Sequence, residues 1–371
     1  MDYSSLVSEV LDDCLDVKPG DSVWINSWDH TLDLASALGF ECERRGYPNL
    51  MTVRYEDFWL RSILDLPKEQ LKGVSPQMKA ALTKTDFFIF TMGPRGPVPW
   101  SSIPKAKRRL VSVWLDTRYD KSPYAREWAG ICKSHGVRML AIEATLATPE
   151  RAKALGLNYN EWKDVMFHGC LADHKEIARR GRALARVLSG KGRVRISTPS
   201  GTELSFALDR RPVGISDGMA TKAKARGGLV TFLPAGAIEV SVNEESAGGR
   251  VFYDAPVSMG NQAIQGLEIN LKSGRIHHYD AARGRDTFER YLQGGGRDAG
   301  RFAFLGFGLN PNLRHGYTQD DEVLGDVTLG FGDNMTKGGK NRASEQWWAS
   351  IAKPTVVLDE TEIMDEGKLL V

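Results

Sequence analysis

Asp86-Phe87-Phe88-Ile89-Phe90 is a short run that stays apolar from Phe87 onward, the pattern of a strand covered on both faces. Reading outward from it, Ser22-Val23-Trp24-Ile25-Asn26 and Met51-Thr52-Val53-Arg54-Tyr55 precede it as further strands. Leu110-Val111-Ser112-Val113-Trp114 and Val137-Arg138-Met139-Leu140-Ala141-Ile142 follow it. Helical patterns lie between most of them. Leu6, Val7, Val10, Leu11 and Leu15 share one face of a helix, and Thr31–Arg45 is helical up to a stop at Gly46. Strand–helix alternation predicts an α/β fold with a largely parallel sheet. A helix over Asp173–Ser189 closes this half. Its Arg179, Arg180, Arg182 and Arg186 read as a solvated face, because no aromatic residues interleave for stacking on bases.

Beyond Gly190 the texture changes. Glycine becomes dense, and strand-like pieces such as Arg193–Ser197, Glu203–Leu208, Leu229–Leu233, Arg250–Tyr253 and Ala263–Leu271 are punctuated by turn residues. The expected organisation is an N-terminal, mostly parallel α/β domain over 1–189 and a β-rich C-terminal domain over 190–371.

The composition of the 371 residues is globular, with 42% hydrophobic and 26% charged. Forty-nine Lys+Arg against 47 Asp+Glu leave a net charge of +2, too little for a nucleic-acid-binding field. No apolar run approaches the roughly 18–20 residues of a membrane span. Met1–Ser5 lacks the features of a secretory signal, and Cys14, Cys42, Cys132 and Cys170 form no C-x-x-C pair. A cytoplasmic protein with reduced thiols is expected.

Short chemical motifs are weak. Gly214-Ile215-Ser216-Asp217-Gly218 has nucleophile-elbow spacing but follows Arg210-Arg211-Pro212 instead of a buried strand. Gly338-Gly339-Lys340-Asn341 lacks the Ser or Thr and the earlier glycine of a phosphate loop. His277 and His278 are adjacent, so on a strand they point to opposite faces. No two-histidine metal spacing occurs. Carboxylates gather at Glu239–Glu245, at Asp320-Asp321-Glu322 with Asp326, and at Asp333, where they could bind a cation or transfer protons.

Several longer segments carry a resemblance. Leu233-Pro234-Ala235-Gly236 followed by Asn243-Glu244-Glu245-Ser246-Ala247-Gly248-Gly249 resembles the "LPxGE…EDSxxG" segment of the thermophilic aminopeptidases, the M29 metallopeptidases of aminopeptidase T type. Leu305-Gly306-Phe307-Gly308-Leu309-Asn310-Pro311 is similar to their "ELGIGTNP". Leu324–Asn334 is similar to "LGTxHIALGDN", and Ile196–Leu204 also fits. The order and spacing of these segments cover nearly the whole chain.

The resemblance implies an aminopeptidase T-like C-terminal domain, a homodimer, and in the family two metal ions held by Glu, Glu, His, His and Asp. At the matching positions this chain has Ala237, Phe304, Thr328, and Gln346-Trp347-Trp348 in place of "HWD". The related iron-dependent 2,5-dihydroxypyridine dioxygenases use a His and an H-x-D, and none of the matching segments holds one, the chain's single H-x-D being His278-Tyr279-Asp280 outside them. The implied reading is a degenerate site with no metal and no cofactor. It would bind a peptide or peptide-like ligand, for example a precursor peptide presented to modifying enzymes. Phe304, Phe307, Trp347 and Trp348 would then be anchors. Thr328 and Gln346 would line the site, and Glu239, Glu244, Asp333 and Arg314 would orient charged ends. The rival reading is a relocated hydrolase or ring-opening dioxygenase site using Glu244, Asp333 and His278. No nucleic-acid or membrane partner is expected.

Overall fold

The computed structural model describes residues 2–116, 120–259, 262–344 and 346–371. It divides into two compact units. The first holds Met1–Leu171 and Gly218–Pro234, the second Ala172–Asp217 and Ala235–Val371. The sequence reading sets one boundary near residue 190; in the structure the chain enters the second unit at Ala172, returns to the first for residues 218–234, and leaves again.

Its strands in chain order are β1 Val23–Trp28, β2 Asn49–Arg54, β3 Phe87–Thr91, β4 Arg138–Ile142, β5 Lys191–Ser197, β6 Glu203–Ser216 and β7 Val230–Leu233. They continue as β8 Ala237–Val242, β9 Gly248–Tyr253, β10 Val257–Met259, β11 Gln262–Ile264, β12 Leu267–Lys272 and β13 Arg275–Asp280. The last are β14 Phe302–Gly308, β15 Val327–Gly332, β16 Gln346–Ile351, β17 Thr355–Leu358, β18 Thr361–Asp365 and β19 Lys368–Leu369.

The first unit is built on a parallel sheet in the order β2-β1-β3-β4-β7. Strands β1 and β3 are buried along their whole length, as their apolar runs require. Trp24, Phe88, Phe90 and Trp128 pack as one aromatic core. The chain leaves β1 toward β2 on one side and later adds β3 on the other, so the order reverses between β1 and β3.

Two sequence expectations change here. Leu110–Trp114 is not a strand. Val111 and Val113 are buried beside Trp59 and Ile103, but the backbone is satisfied by side chains instead of a ladder. Asp120 accepts hydrogen bonds from the Ser112 hydroxyl (2.7 Å) and the Val113 N–H (2.9 Å), and the Trp59 indole donates to the Ser112 carbonyl (3.2 Å). The fifth strand is instead β7, drawn from the segment read as part of the β-rich half.

In the second unit one large sheet runs β16-β15-β14-β8-β6-β5-β17-β18-β19, with β9, β12 and β13 branching from β6. The expected Ala263–Leu271 strand is split at Gly266, which adopts φ +59° between β11 and β12. The helix His174–Leu188, capped by Asp173, lays its apolar stripe on the sheet. Gly181 permits this approach, because a Cβ there would lie 2.8 Å from Ile215. No helix among the described residues is long and apolar enough to cross a membrane.

Candidate functional site

The strand register decides which candidates share a face. On β14, Phe304 pairs with Ser241 of β8 and Gly330 of β15, Gly306 with Glu239 and Thr328, and Gly308 with Ala237. On β16, Gln346 opposes Gly332, Trp348 opposes Gly330, and Ser350 opposes Thr328. Side chains alternate between sheet faces. Ala237, Phe304, Thr328, Gln346 and Trp348, the five positions that the resemblance marks as metal ligands, therefore stand on one face of four consecutive strands, with Glu239 among them.

Phe307 and Trp347 stand on the opposite face and belong to the core. Phe307 is fully buried, and the Trp347 ring packs within 5.3 Å of both Phe288 and Phe331. As anchors for a ligand on the other face they are corrected: period-2 alternation turns both inward.

The marked face is filled by its own side chains. The Phe304 ring packs against Gly330, where a Cβ would come within 1.9 Å of a ring carbon. The Lys337 ammonium sits 4.6 Å from the ring centroid and pairs with Glu239. The Thr328 and Ser350 hydroxyls are 2.9 Å apart, and the Gln346 amide donates to the Asp333 carbonyl (2.7 Å). Ala237, Phe304 and Thr328 are buried, while Glu239, Gln346 and Trp348 are half-buried.

A two-metal centre does not fit here. Its five donor positions offer a methyl, a phenyl, a hydroxyl, an amide and an indole, and the nearby carboxylate is already balanced by an ammonium. Among the described residues, no three His, Cys, Asp or Glu donors drawn from this face have ligand atoms within 4.8 Å of one another.

Glu244 is a structural anchor. One carboxylate oxygen receives the Lys340 N–H (2.6 Å) and the Asn334 amide (3.2 Å), and the other receives Arg211 (3.3 Å). Asn334 also donates to the Ala303 carbonyl (2.9 Å) and accepts the Asn341 N–H (2.9 Å). The Gly338–Asn341 run is thus a turn wrapped on Asn334, and Gly339 is obligatory because a Cβ would meet the Asn334 side chain at 2.0 Å. The three weaker catalytic candidates do not converge. Asp333 is half-buried beside this turn, while His278 is exposed on β13, linked to β8 only through β12, β9 and β6. Arg314 is exposed, its guanidinium 5.4 Å from the Tyr317 ring centroid.

The structure joins His315 to Asp320 and Asp326, acids that the sequence reading had grouped as a possible cation-binding or proton-transfer cluster. Asp326 lies two residues before Thr328, and its carbonyl accepts the Gly308 N–H. Its carboxylate meets His315 Nδ1 at 2.5 Å. Asp320 accepts the N–H groups of Gly316 (2.9 Å) and Tyr317 (3.0 Å). Burial pushes the Asp320 carboxyl up to about 7 against the attraction of His315, and burial pushes Asp321 up to about 6. Burial also raises Asp326 despite its bond to His315. For His315 burial acts downward, but the bond to Asp326 and the charges of Asp320, Asp326 and Asp254 prevail, so its pKa is raised. A histidine–carboxylate pair beside an acid that titrates near neutrality can move protons. The acidic run was legible in the sequence; that His315 pairs with Asp326 was not.

No curated protein matches the chain in sequence at a significant level. AmpT from Thermus thermophilus has a similar structure, with a TM-score of 0.70 at 15% identity, covering 100% of both chains. The 2,5-dihydroxypyridine dioxygenase from Pseudomonas putida KT2440 is also similar, with a TM-score of 0.58 at 14% identity, covering 95% of this chain and 92% of that one. At such identities the likeness is one of fold. The family model described as thermophilic metalloprotease (M29) matches residues 2–305, which carry both units up to the middle of β14. Over so much of its length the match is decisive, and the chain belongs to the thermophilic metalloprotease (M29) family.

Proposed function

We propose that this chain is a family member whose two-metal site has been rebuilt as a binding surface, and that it holds a peptide or peptide-like ligand without hydrolysing it. The observation that carries the reading is the shared face. Where the family resemblance asks for five metal donors, Phe304 is packed on Gly330 and capped by the Lys337–Glu239 pair. With Glu239 already neutralised by Lys337, the face has no free carboxylate to hold a divalent cation, and without that cation nothing on it activates water for hydrolysis. Trp348, half-buried beside Gln346 and Glu239, is the large amphipathic group on this face, so it takes the anchoring role. A precursor peptide presented to modifying enzymes by a homodimer is the setting we propose.

The test combines elemental analysis of purified protein by inductively coupled plasma mass spectrometry with calorimetric titration of tripeptides such as Leu-Gly-Gly. The expected outcome is no stoichiometric zinc, cobalt, manganese or iron, intact peptide after incubation, and binding that Trp348→Ala weakens by about 1–3 kcal/mol. Stoichiometric metal with peptide cleavage sinks the reading. Affinity unchanged in Trp348→Ala removes the assigned surface.

One observation favours a second reading, a relocated enzymatic site. His315, Asp326 and Asp320 form a proton-transfer group next to Thr328, and a hydrolase or ring-opening activity would run through them instead of Glu244, Asp333 and His278.

A further inference from the structure

We infer that the first unit carries a separate binding site for a small organic anion, a carboxylate or phosphate ester with an apolar body, at the carboxyl ends of β1, β3 and β4. A cavity of about 260 Å³ opens there. His30 follows β1 by two residues, Arg95 follows β3 by four, and Thr145 and Thr148 follow β4, so the cavity lies where the strand order reverses. Crevices at that point of an open parallel sheet are where the fold leaves room for ligands, because the loops on either side part in opposite directions.

The lining is built for negative charge. Arg95 and Lys163 supply the cations at its rim, against Glu150 alone among the acids that line it. Arg95 is held from both sides of its backbone. Its N–H donates to Glu56 (2.9 Å), and its carbonyl accepts the Thr148 hydroxyl (2.6 Å), which leaves an exposed guanidinium on a fixed base. The 13-residue helix Leu32–Arg44 starts beside the cavity at Thr31, whose hydroxyl is committed to Trp28 and Thr91 and does not cap the first turn. Its leading N–H groups therefore add a partial positive charge on the same side.

His30 also lines the cavity. Its side chain is only 7% exposed, with Asp29 Oδ1 3.8 Å from Nδ1 and the Thr145 backbone also beside the ring. Burial and the Arg95 charge lower its pKa against the opposing pull of Asp29 and the Thr145 backbone, so the ring adds no positive charge of its own to the lining. Asp29, His30 and Glu56 also lie close enough to suggest a metal site. The neighbouring guanidinium argues against one, because the charge that disfavours a proton on His30 disfavours a divalent cation there too. Tyr3, Leu34 and Phe167 line the remaining wall, which sets the apolar body of the ligand.

The inference stands apart from the peptide reading, since every residue it uses lies in the first unit. Its test is calorimetric titration of the full chain, at pH 7 and low salt, with phenyl phosphate and benzoate, and with benzyl alcohol as the neutral control. We expect at least one of the two anions to bind and the alcohol not to. Arg95→Gln and Lys163→Gln, on separate elements and both accessible, should each weaken that binding at least about tenfold with unchanged circular dichroism. Failure of both anions to bind overturns the proposal, as does equal binding of the alcohol or affinity unaltered in both variants. Stoichiometric zinc uptake abolished by His30→Ala overturns it in favour of a metal site.

Discussion

Gly330 and Phe304 show how one residue commits its neighbour. With the Phe304 ring where a Cβ of residue 330 would be, Gly330→Ala must displace the ring or bend β15. Overpacking of this kind costs about 1–3 kcal/mol. Chemical denaturation should show that loss in Gly330→Ala and a much smaller one when the same change is made on a Phe304→Ala background. Equal losses on the two backgrounds would mean that the ring does not press on Gly330. Some of this scale was legible in the sequence. Trp347 and Trp348 are adjacent on a strand, so only one of them can face a ligand, and the same parity separates Phe304 from Phe307. The ring packed against a glycine of the next strand was not legible, because it depends on a register set by pairings far apart in sequence.

At the scale of elements, the loop between β14 and β15 carries the chain's clearest pH dependence. Asp320 and Asp321 have pKa values raised above the ordinary carboxylate value, to about 7 and about 6. Between about pH 4 and 7 the folded chain therefore holds protons that the unfolded chain has released, and stability falls as pH rises. His315 acts in the same direction, its raised pKa giving stability that is complete below about pH 6.5 and is lost above it. The strongly depressed carboxylates, Glu41 and Glu176 at about 2, act only at lower pH. Thermal melts should show the midpoint falling by several degrees from pH 5 to pH 8. Asp320→Asn keeps an oxygen for the two backbone N–H groups and should flatten that fall. A wild-type midpoint that rises over this range would contradict the assignment. His315 and Asp326 are eleven residues apart in a loop with no periodicity, so nothing in the sequence announced their contact. The strands were easier, since an apolar run needs no partner to be recognised. Leu110–Trp114 shows the limit of that rule: the same alternation arises when a side chain such as Asp120 takes over the ladder's hydrogen bonds.

At the scale of the whole molecule, the α/β and β-rich halves were legible, and so were most of the segments that place the chain in its family. The crossing of the chain between units was not. Residues 230–233 have the composition of any short buried strand, and only the three-dimensional pairing with β4 assigns them to the parallel sheet. A fragment of residues 1–189 should therefore be soluble only poorly and lack a cooperative melt, because it exposes the β4 edge that β7 covers. A cooperative transition in that fragment would show that the fifth strand is dispensable. The late arrival of β7 also bears on how the protein is made. On the ribosome the first four strands of the sheet are made before the helix His174–Leu188 and the long β5–β6 hairpin, and the fifth only after them. The nascent chain must carry an open parallel edge through some ninety residues of synthesis, from β4 to β7, a window in which a holding chaperone has a defined surface to protect.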